Sequence, residues 1–246
     1  MNRPAIQAEN LRKRYGDTVA VDDLSLSVDE GEVLGILGTN GAGKTTAVEL
    51  IAGLRAPDAG RVSVMGLDPW RDRAAVRQVL GVQLQEARLH DALTVAELVD
   101  LYRSFYPAPR PREELLELVE LTKQRGTRFS RLSGGQAQRL SIALALAGRP
   151  RVVILDELTT GLDPRARRRM WATVEQLTEE TVVLVSHAME EVERLCGRVA
   201  LIRAGRVAAL GTPAELVRRA GAADLDEAFL ALTGERLGED EDEEAA

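Results

Sequence analysis

The sequence is poor in cysteine and in aromatic residues, and it contains no long apolar run. Its 246 residues include one cysteine, two histidines and an aromatic fraction of 3%. A single cysteine excludes an intrachain disulfide. No run approaches the roughly 18–20 apolar residues that cross a membrane, and no apolar signal region begins the chain. We therefore expect a cytoplasmic protein whose contact with any membrane depends on a partner.

Net positive charge is also lacking. The formal net charge is −7, and the acidic run 239–244 carries six negative charges, so the remaining chain is nearly neutral. We expect residues 236–246 to form a disordered acidic tail. No strongly basic surface for nucleic acid is indicated. The hydrophobic fraction of 45% is that of an ordinary globular protein, and residues 1–235 suit one α/β domain.

A glycine-rich segment follows the apolar run 33–37 and precedes a helical pattern. It reads Gly38-Thr39-Asn40-Gly41-Ala42-Gly43-Lys44-Thr45-Thr46. Glycines let the backbone turn its N–H groups toward phosphate oxygens, and the following helix directs its positive end to the same place. Lys44 would add a charge on the terminal phosphates, and the Thr45 hydroxyl could bind Mg²⁺. The segment predicts a nucleoside triphosphate site.

The rest of the chain predicts a mostly parallel sheet with flanking helices. Alternation over residues 5–28 favours antiparallel strands ahead of the phosphate loop. Helical spacing over about 86–136 indicates an inserted helical subdomain, with Tyr102, Phe105 and Tyr106 in its core. Residues 199–210 are typical of a hairpin, and 213–220 and 225–232 of short helices.

Two adjacent glycines open a further predicted helix over 137–147. They lie in Leu132-Ser133-Gly134-Gly135-Gln136. Ser133 suits an N-cap, and a capping turn alone would explain it. It would not explain Gly134 and Gly135, which weaken a helix.

Polar side chains end two strand-like apolar runs. Asp156 and Glu157 follow residues 152–155, and His187 follows 181–185. The carboxyl ends of parallel strands are where such sheets hold ligands. One carboxylate could organise Mg²⁺ and the other could orient an attacking water, while the histidine could contact the γ-phosphate. Two acids that cap the next helix, and a structural histidine, are the alternative interpretations.

Together these motifs resemble those of an ABC-type ATPase, the nucleotide-binding subunit of an ATP-binding-cassette transporter, over about residues 5–235. Residues 38–46 look like Walker A, 132–136 like the family signature and 152–157 like Walker B with the catalytic glutamate. Asp163 falls in a sequence similar to the D-loop, His187 matches the switch histidine, and Tyr15 matches the aromatic that stacks on adenine. Gln83 and Gln85 compete for the Q-loop position, and Gln85 is favoured because it begins the loop into the insert. The family often has proline where Thr39 and Leu158 stand.

The resemblance implies a P-loop NTPase fold, ATP and Mg²⁺ as cofactors, and a role for each matching residue. Lys44 and the backbone of residues 40–46 would hold the phosphates, while Thr45, Gln85 and Asp156 organise Mg²⁺. Glu157 would polarise water and His187 would steady the γ-phosphate. Residues 133–136 of one subunit would bind the ATP held by a second copy, or by a homologous subunit, in a head-to-tail dimer.

Resemblance also suggests partners and a location. The segment 223–234 and the short insert are similar to those of bacterial drug- and antibiotic-exporter ATPases. This implies an integral membrane permease as partner, no nucleic acid, and a peripheral position on the inner face of the cell membrane. The alternatives are a non-transport ATP-dependent clamp or scaffold for cytosolic partners, and a GTPase or small-molecule kinase. The last two do not account for residues 132–136.

Overall fold

The computed structural model describes residues 4–84 and 89–237, and its contacts divide the chain into two compact units. The first unit comprises Met1–Val76 with Thr181–Ala246, and the second comprises Arg77–Glu180. The favoured Gln85 and the acidic run 239–244 both lie outside the described residues. The domain bounds expected from the sequence stay a prediction.

Nine strands and nine helices occur in the described part of the chain. In order they are β1 (Pro4–Tyr15), β2 (Thr18–Asp29), β3 (Val33–Leu37), α1 (Lys44–Ile51), β4 (Ala59–Val64), α2 (Arg73–Val79), β5 (Leu80–Gln83), α3 (Val95–Arg103), α4 (Arg112–Leu118), α5 (Gly134–Ala145), β6 (Val152–Asp156), α6 (Pro164–Glu175), β7 (Thr181–Val185), α7 (Met189–Leu195), β8 (Arg198–Arg203), β9 (Arg206–Gly211), α8 (Pro213–Ala220) and α9 (Leu225–Thr233). Two short 3₁₀ turns cover Thr122–Gln124 and Phe129–Arg131.

The first unit contains a three-stranded antiparallel sheet in the order β2-β1-β4. The strands before the phosphate loop were predicted, and β1 and β2 are each 12 residues long. Both contain a polar residue with positive φ, Asn10 at 49° and Asp23 at 61°. The Asn10 amide donates to the Asp23 carboxylate at 2.7 Å. Each strand therefore has one irregular residue, and the hydrogen bond between the two irregular residues keeps β1 and β2 together on both sides of them.

A second sheet of the first unit places β3 at its centre, in the order β7-β3-β8-β9. β3 is parallel to β7 and to β8, and β9 returns antiparallel to β8 as the predicted hairpin. All of β7 is buried, as is β3 after its first residue, which explains their continuous apolar sequence. The phosphate loop therefore begins at the carboxyl end of a central strand.

The second unit combines the parallel pair β5 and β6 with α3, α4, α5 and α6. Its buried helical residues include Leu98 and Val99 of α3, Leu115 of α4 and Leu140 of α5. The expectation that Phe105 belongs to this core is wrong, because its side chain is 61% exposed. Phe105 follows the end of α3, beyond the face that packs inward.

The predicted α/β class with a P-loop arrangement of strand, loop and helix is confirmed by these elements. Among the helices of residues 4–84 and 89–237, none has the length and apolar character that crossing a bilayer requires.

Candidate active site

The phosphate loop turns sharply between β3 and α1, and at two of its glycines a side chain would clash with backbone. A Cβ at Gly43 would lie 2.3 Å from the Ala20 carbonyl oxygen, and one at Gly38 would lie 2.7 Å from that of Ile202. Gly43 also has a φ of 100° and is the N-cap of α1, with no side-chain cap. The first-turn N–H groups of α1 therefore face the loop without competition from a capping side chain.

Lys44 lies inside this loop rather than in solvent. Its ammonium nitrogen donates to the carbonyl oxygens of Gly38 at 2.7 Å and Thr39 at 2.9 Å, and the side chain is buried. Thr45 and Asn40 are exposed. The arrangement puts a fixed positive charge and a hydroxyl at the positive end of one helix, which suits an anionic phosphate chain.

Thr39, which departs from the family pattern, makes a contact of its own. Its hydroxyl donates to Glu235 at 2.9 Å, and Glu235 also accepts from Arg203 at 3.1 Å. The loop is thus tied to the segment that follows α9.

His187 lies at the same edge of the sheet as the phosphate loop. It follows β7, whose Val185 pairs with Ile36 of β3 in parallel register, and its side chain is exposed. The sequence predicted one edge for His187, the phosphate loop and the two acids, and the first unit has the part that joins His187 to the loop.

Tyr15 ends β1 and is 39% exposed. The Arg55 guanidinium carbon lies 5.3 Å from the ring centroid, and the Lys13 ammonium lies at 5.8 Å. Arg55 is itself paired with Glu49. An exposed aromatic face held beside cations is a suitable stacking surface for a base.

In the second unit, β6 carries Asp156 at its end and Glu157 directly after it. Asp156 is buried, whereas Glu157 is partly exposed. Glu157 has a φ of 50°, a left-handed conformation that is uncommon for a residue with a side chain. The Gln138 amide donates to its carbonyl oxygen at 3.4 Å. The backbone thus adopts an uncommon conformation at the acid to which the sequence assigned the central role.

Gln83 ends β5, and both polar atoms of its side-chain amide bond to backbone groups. The side-chain oxygen accepts from the Asp156 N–H at 3.0 Å, and the amide nitrogen donates to the Leu84 carbonyl oxygen at 2.8 Å. Gln83 therefore fastens the end of β5 to the end of β6, a role that the sequence did not reveal. The assignment of Gln85 to the Q-loop stays a prediction, since residue 85 lies outside the described residues.

The signature segment forms a complete capping box at the start of α5. Ser133 accepts from the Gln136 N–H at 3.3 Å, and the Gln136 side chain accepts from the Ser133 N–H at 2.9 Å. Because both glycines are helical, α5 begins at Gly134 and not at residue 137 as predicted. A Cβ at Gly134 would meet nothing within 4 Å, and one at Gly135 would meet only ordinary contacts from 3.4 Å. The fold of this unit does not require glycine at either position.

A recess beside the signature is lined by side chains of α5 and α6. Asp163 is the N-cap of α6 and accepts from the N–H groups of Ala166 and Arg165, which hold the pKa of its carboxyl below the usual range. Arg165, Arg169 and Arg139 line the same recess as Ser133 and Gly135. None of the three was predicted from the sequence, although the basic run 165–169 contains Arg165 and Arg169. Their charge suits an anionic ligand.

Comparison with known proteins decides between the interpretations of these motifs. A family model described as ABC transporter matches residues 21–160. The chain belongs to this family. Its ABC relatives include the linearmycin resistance ATP-binding protein LnrL of Bacillus subtilis, 39% identical over 88% of this chain and 72% of that protein. Another is the Nod factor export ATP-binding protein I of Rhizobium etli, 39% identical over 87% of this chain and 70% of that protein.

Solved ABC cassettes share the fold. The ATP-binding subunit of an ABC transporter superimposes with a TM-score of 0.84 at 27% identity, over 93% of this chain and 99% of that one. A dimeric cassette in a post-hydrolysis state with ADP and phosphate gives 0.76 at 27% identity, over 84% and 98%. This chain is accordingly an ABC ATPase that binds ATP, as the motifs predicted, and the clamp alternative is not favoured.

Proposed function

We propose that this ABC ATPase drives export through a separate membrane permease. The support comes from the relatives, which by name are a linearmycin resistance ATP-binding protein and a Nod factor export ATP-binding protein. A permease partner would hold the chain at the inner face of the membrane. The substrate path would then lie in the permease, so the chemistry of this chain is that of ATP and not of the exported molecule.

In this proposal each site residue has a separate role in binding or hydrolysing ATP. Lys44 and the N–H groups of the phosphate loop would bind the phosphates, and the exposed ring of Tyr15 would stack on adenine. Glu157 would accept a proton from, or orient, the attacking water, and His187 would contact the γ-phosphate as charge develops. The Thr45 hydroxyl, the Asp156 carboxylate and Gln85 offer the oxygen ligands that Mg²⁺ prefers, and Mg²⁺ would supply charge neutralisation.

Dimerisation through residues 133–136 is the second part of the proposal. The observation that carries it is the pair Gly134 and Gly135, which neither φ nor local packing requires. Glycines at a helix start cost helix stability, but they allow a close approach from outside to the N–H groups of α5. ATP held by a second copy is the ligand that the family resemblance assigns to this position.

The test is the exchange of Glu157 for glutamine. Glu157→Gln keeps size and polarity but cannot accept the proton, so we expect ATPase turnover to fall by about 10²–10⁴-fold while ATP still binds. The variant should accumulate as a dimer in ATP, measured by size-exclusion chromatography. Glu117→Gln makes the same change at an exposed position of α4 and should leave both readouts unchanged. An undiminished hydrolysis rate in Glu157→Gln would overturn the assigned role.

A second experiment separates export from the clamp function. We expect the chain to copurify from detergent-solubilised membranes with a multi-span protein. Recovery of soluble partners only, from the same membranes, would support the clamp instead.

A further inference from the structure

A buried hydrogen-bonded cluster surrounds the turn that carries His187. The Ser186 hydroxyl donates to the Glu191 carboxylate at 2.6 Å and accepts from the Ala188 N–H at 3.0 Å. Ser186 is 3% exposed and Glu191 is fully buried. Ser186 precedes His187 in the chain, whereas Ala188 and Glu191 follow it. The two bonds of the Ser186 hydroxyl therefore form a short hydrogen-bonded ring that includes the backbone of His187.

The same serine is tied to the strand that feeds the phosphate loop. Its backbone N–H donates to the Ile36 carbonyl oxygen at 3.2 Å, and Ile36 lies two residues before Gly38. The backbone of Ser186 is thus fixed by β3 and its side chain by α7. Both restraints act within the first unit, on the residue next to His187.

Ordinary helix capping does not account for this cluster. Glu191 is the third residue of α7, the position from which a glutamate normally accepts the N–H of the N-cap residue. Here the N-cap is Ala188, which has no capping side chain, and its N–H donates to the Ser186 hydroxyl oxygen. Glu191 reaches the serine hydroxyl at the short distance typical of an O–H donor and a carboxylate.

Stability is also a weak explanation. Burying a carboxylate is costly, and apolar side chains of similar volume are often as stable or more so. The first turn of α7 favours negative charge and offsets part of this cost. A buried polar pair of this kind does restrict the turn to one conformation.

We propose that Ser186 and Glu191 are positioning residues that hold His187 in the conformation in which it contacts the γ-phosphate. This rests on the role proposed for His187. Without the ring, the turn between β7 and α7 gains alternative conformations, and the imidazole spends less time in the productive one. Removing these bonds should lower the rate of turnover and leave ATP binding unchanged, because Ser186 contributes no group to the phosphate loop.

The experiment is a double-mutant cycle between Ser186 and His187. Ser186→Ala in the otherwise native chain should lower kcat by about tenfold and change the KM for ATP by less than about twofold. In a His187→Ala chain, the same substitution should change the residual single-turnover rate by less than about twofold, because no imidazole is left to position. Ser186→Thr keeps the hydroxyl and should restore most of kcat.

Ser27→Ala, which removes an exposed hydroxyl from β2 of the same unit, serves as the matched control and should leave kcat unchanged. Glu191→Gln, which can still accept from Ser186, is a second probe and should be milder than Ser186→Ala. Equal losses from Ser186→Ala in both backgrounds, or no loss in the native one, would overturn the positioning role alone. An unchanged rate in His187→Ala itself would overturn the function proposed for His187 and this inference with it.

Discussion

At the scale of single residues, Gly43 and Gly134 differ in whether the fold itself requires glycine. Gly43 is fixed by its φ of 100° and by the Ala20 carbonyl oxygen, which would lie 2.3 Å from an added Cβ. Gly134 has an ordinary φ and free space around it. A larger residue at Gly43 would distort the backbone, whereas one at Gly134 would only narrow access to α5.

This contrast predicts that Gly134→Ala is stable but impaired. Alanine favours a helix over glycine, so the free energy of unfolding should stay the same or rise by up to about 1 kcal/mol. ATP-dependent dimerisation and ATPase activity should both fall, because the added methyl group obstructs the approach of the second copy. Urea unfolding and phosphate release measure the two effects.

Gly126→Ala is the control for that prediction. A Cβ at Gly126 also meets nothing within 4 Å, and the residue precedes the signature segment 132–136 and is not part of it. Its ATPase activity should be native. Full activity in Gly134→Ala would show that residue 134 needs no close approach.

At the scale of elements, several helices begin with a side-chain cap that couples stability to pH. In α8 the Thr212 hydroxyl accepts from the Glu215 N–H, and Glu215 accepts from the Thr212 N–H at 2.9 Å. The Thr212 backbone bond, followed by the Thr212 hydroxyl, holds the pKa of Glu215 below its ordinary value. The ionised carboxylate is therefore the form that stabilises the folded chain.

We expect this contribution to be present above the unfolded pKa of about 4.3 and to be lost as the pH falls through the lower folded pKa. Glu215→Gln keeps the capping geometry but removes the charge. The variant should be less stable than the native chain at pH 7, and the difference should narrow below about pH 4. Chemical unfolding across this range measures it. A difference that is constant with pH would contradict the pKa shift as its cause.

The elements also show how far sequence reasoning reaches. The phosphate loop, the hairpin at β8 and β9, and the two acids at the end of β6 were predictable because each depends on fixed local spacing. The length of β1 was not, because its continuation depends on Asn10 bonding to Asp23 on another strand. Phe105 was assigned to the core because a helical pattern does not show where the helix ends.

The same limit applies to the candidate site. Gln83 and Gln85 both follow an apolar run, and only the bond from the Asp156 N–H shows that Gln83 is engaged in joining two strands. Glu191 looks like one acid among several in 189–195, and its burial against Ser186 is a tertiary fact. Local sequence shows which groups are present but not which of them are already bonded.

At the scale of the whole molecule, the proposed dimer has a consequence for mixtures of inactive chains. In a head-to-tail dimer each site would take its phosphate loop and Glu157 from one copy and its signature from the other. Mixing Lys44→Ala with Gly135→Asp would then create heterodimers with one intact site. We expect ATPase activity to return to roughly a quarter of the native value, since about half of the dimers are mixed and each has one of two sites.

The control mixture is Lys44→Ala with Glu157→Gln. Both substitutions then affect residues that serve the same site within one copy, so no heterodimer contains an intact site and no activity should return. Restoration in neither mixture, or equal restoration in both, would contradict the head-to-tail arrangement.

The buried position of Cys196 makes this molecule convenient to label. Cys196 is the only cysteine of the chain, its thiol packs against Gly35 of β3, and burial raises its pKa well above the ordinary range. Maleimide and iodoacetamide dyes are electrophiles that an accessible thiolate attacks, so the buried native sulfur should stay unmodified while the chain is folded. A cysteine introduced at an exposed position, such as Thr178 in the second unit, would then take a single fluorophore without removal of Cys196. Energy transfer between donor- and acceptor-labelled copies could follow their association and release in real time.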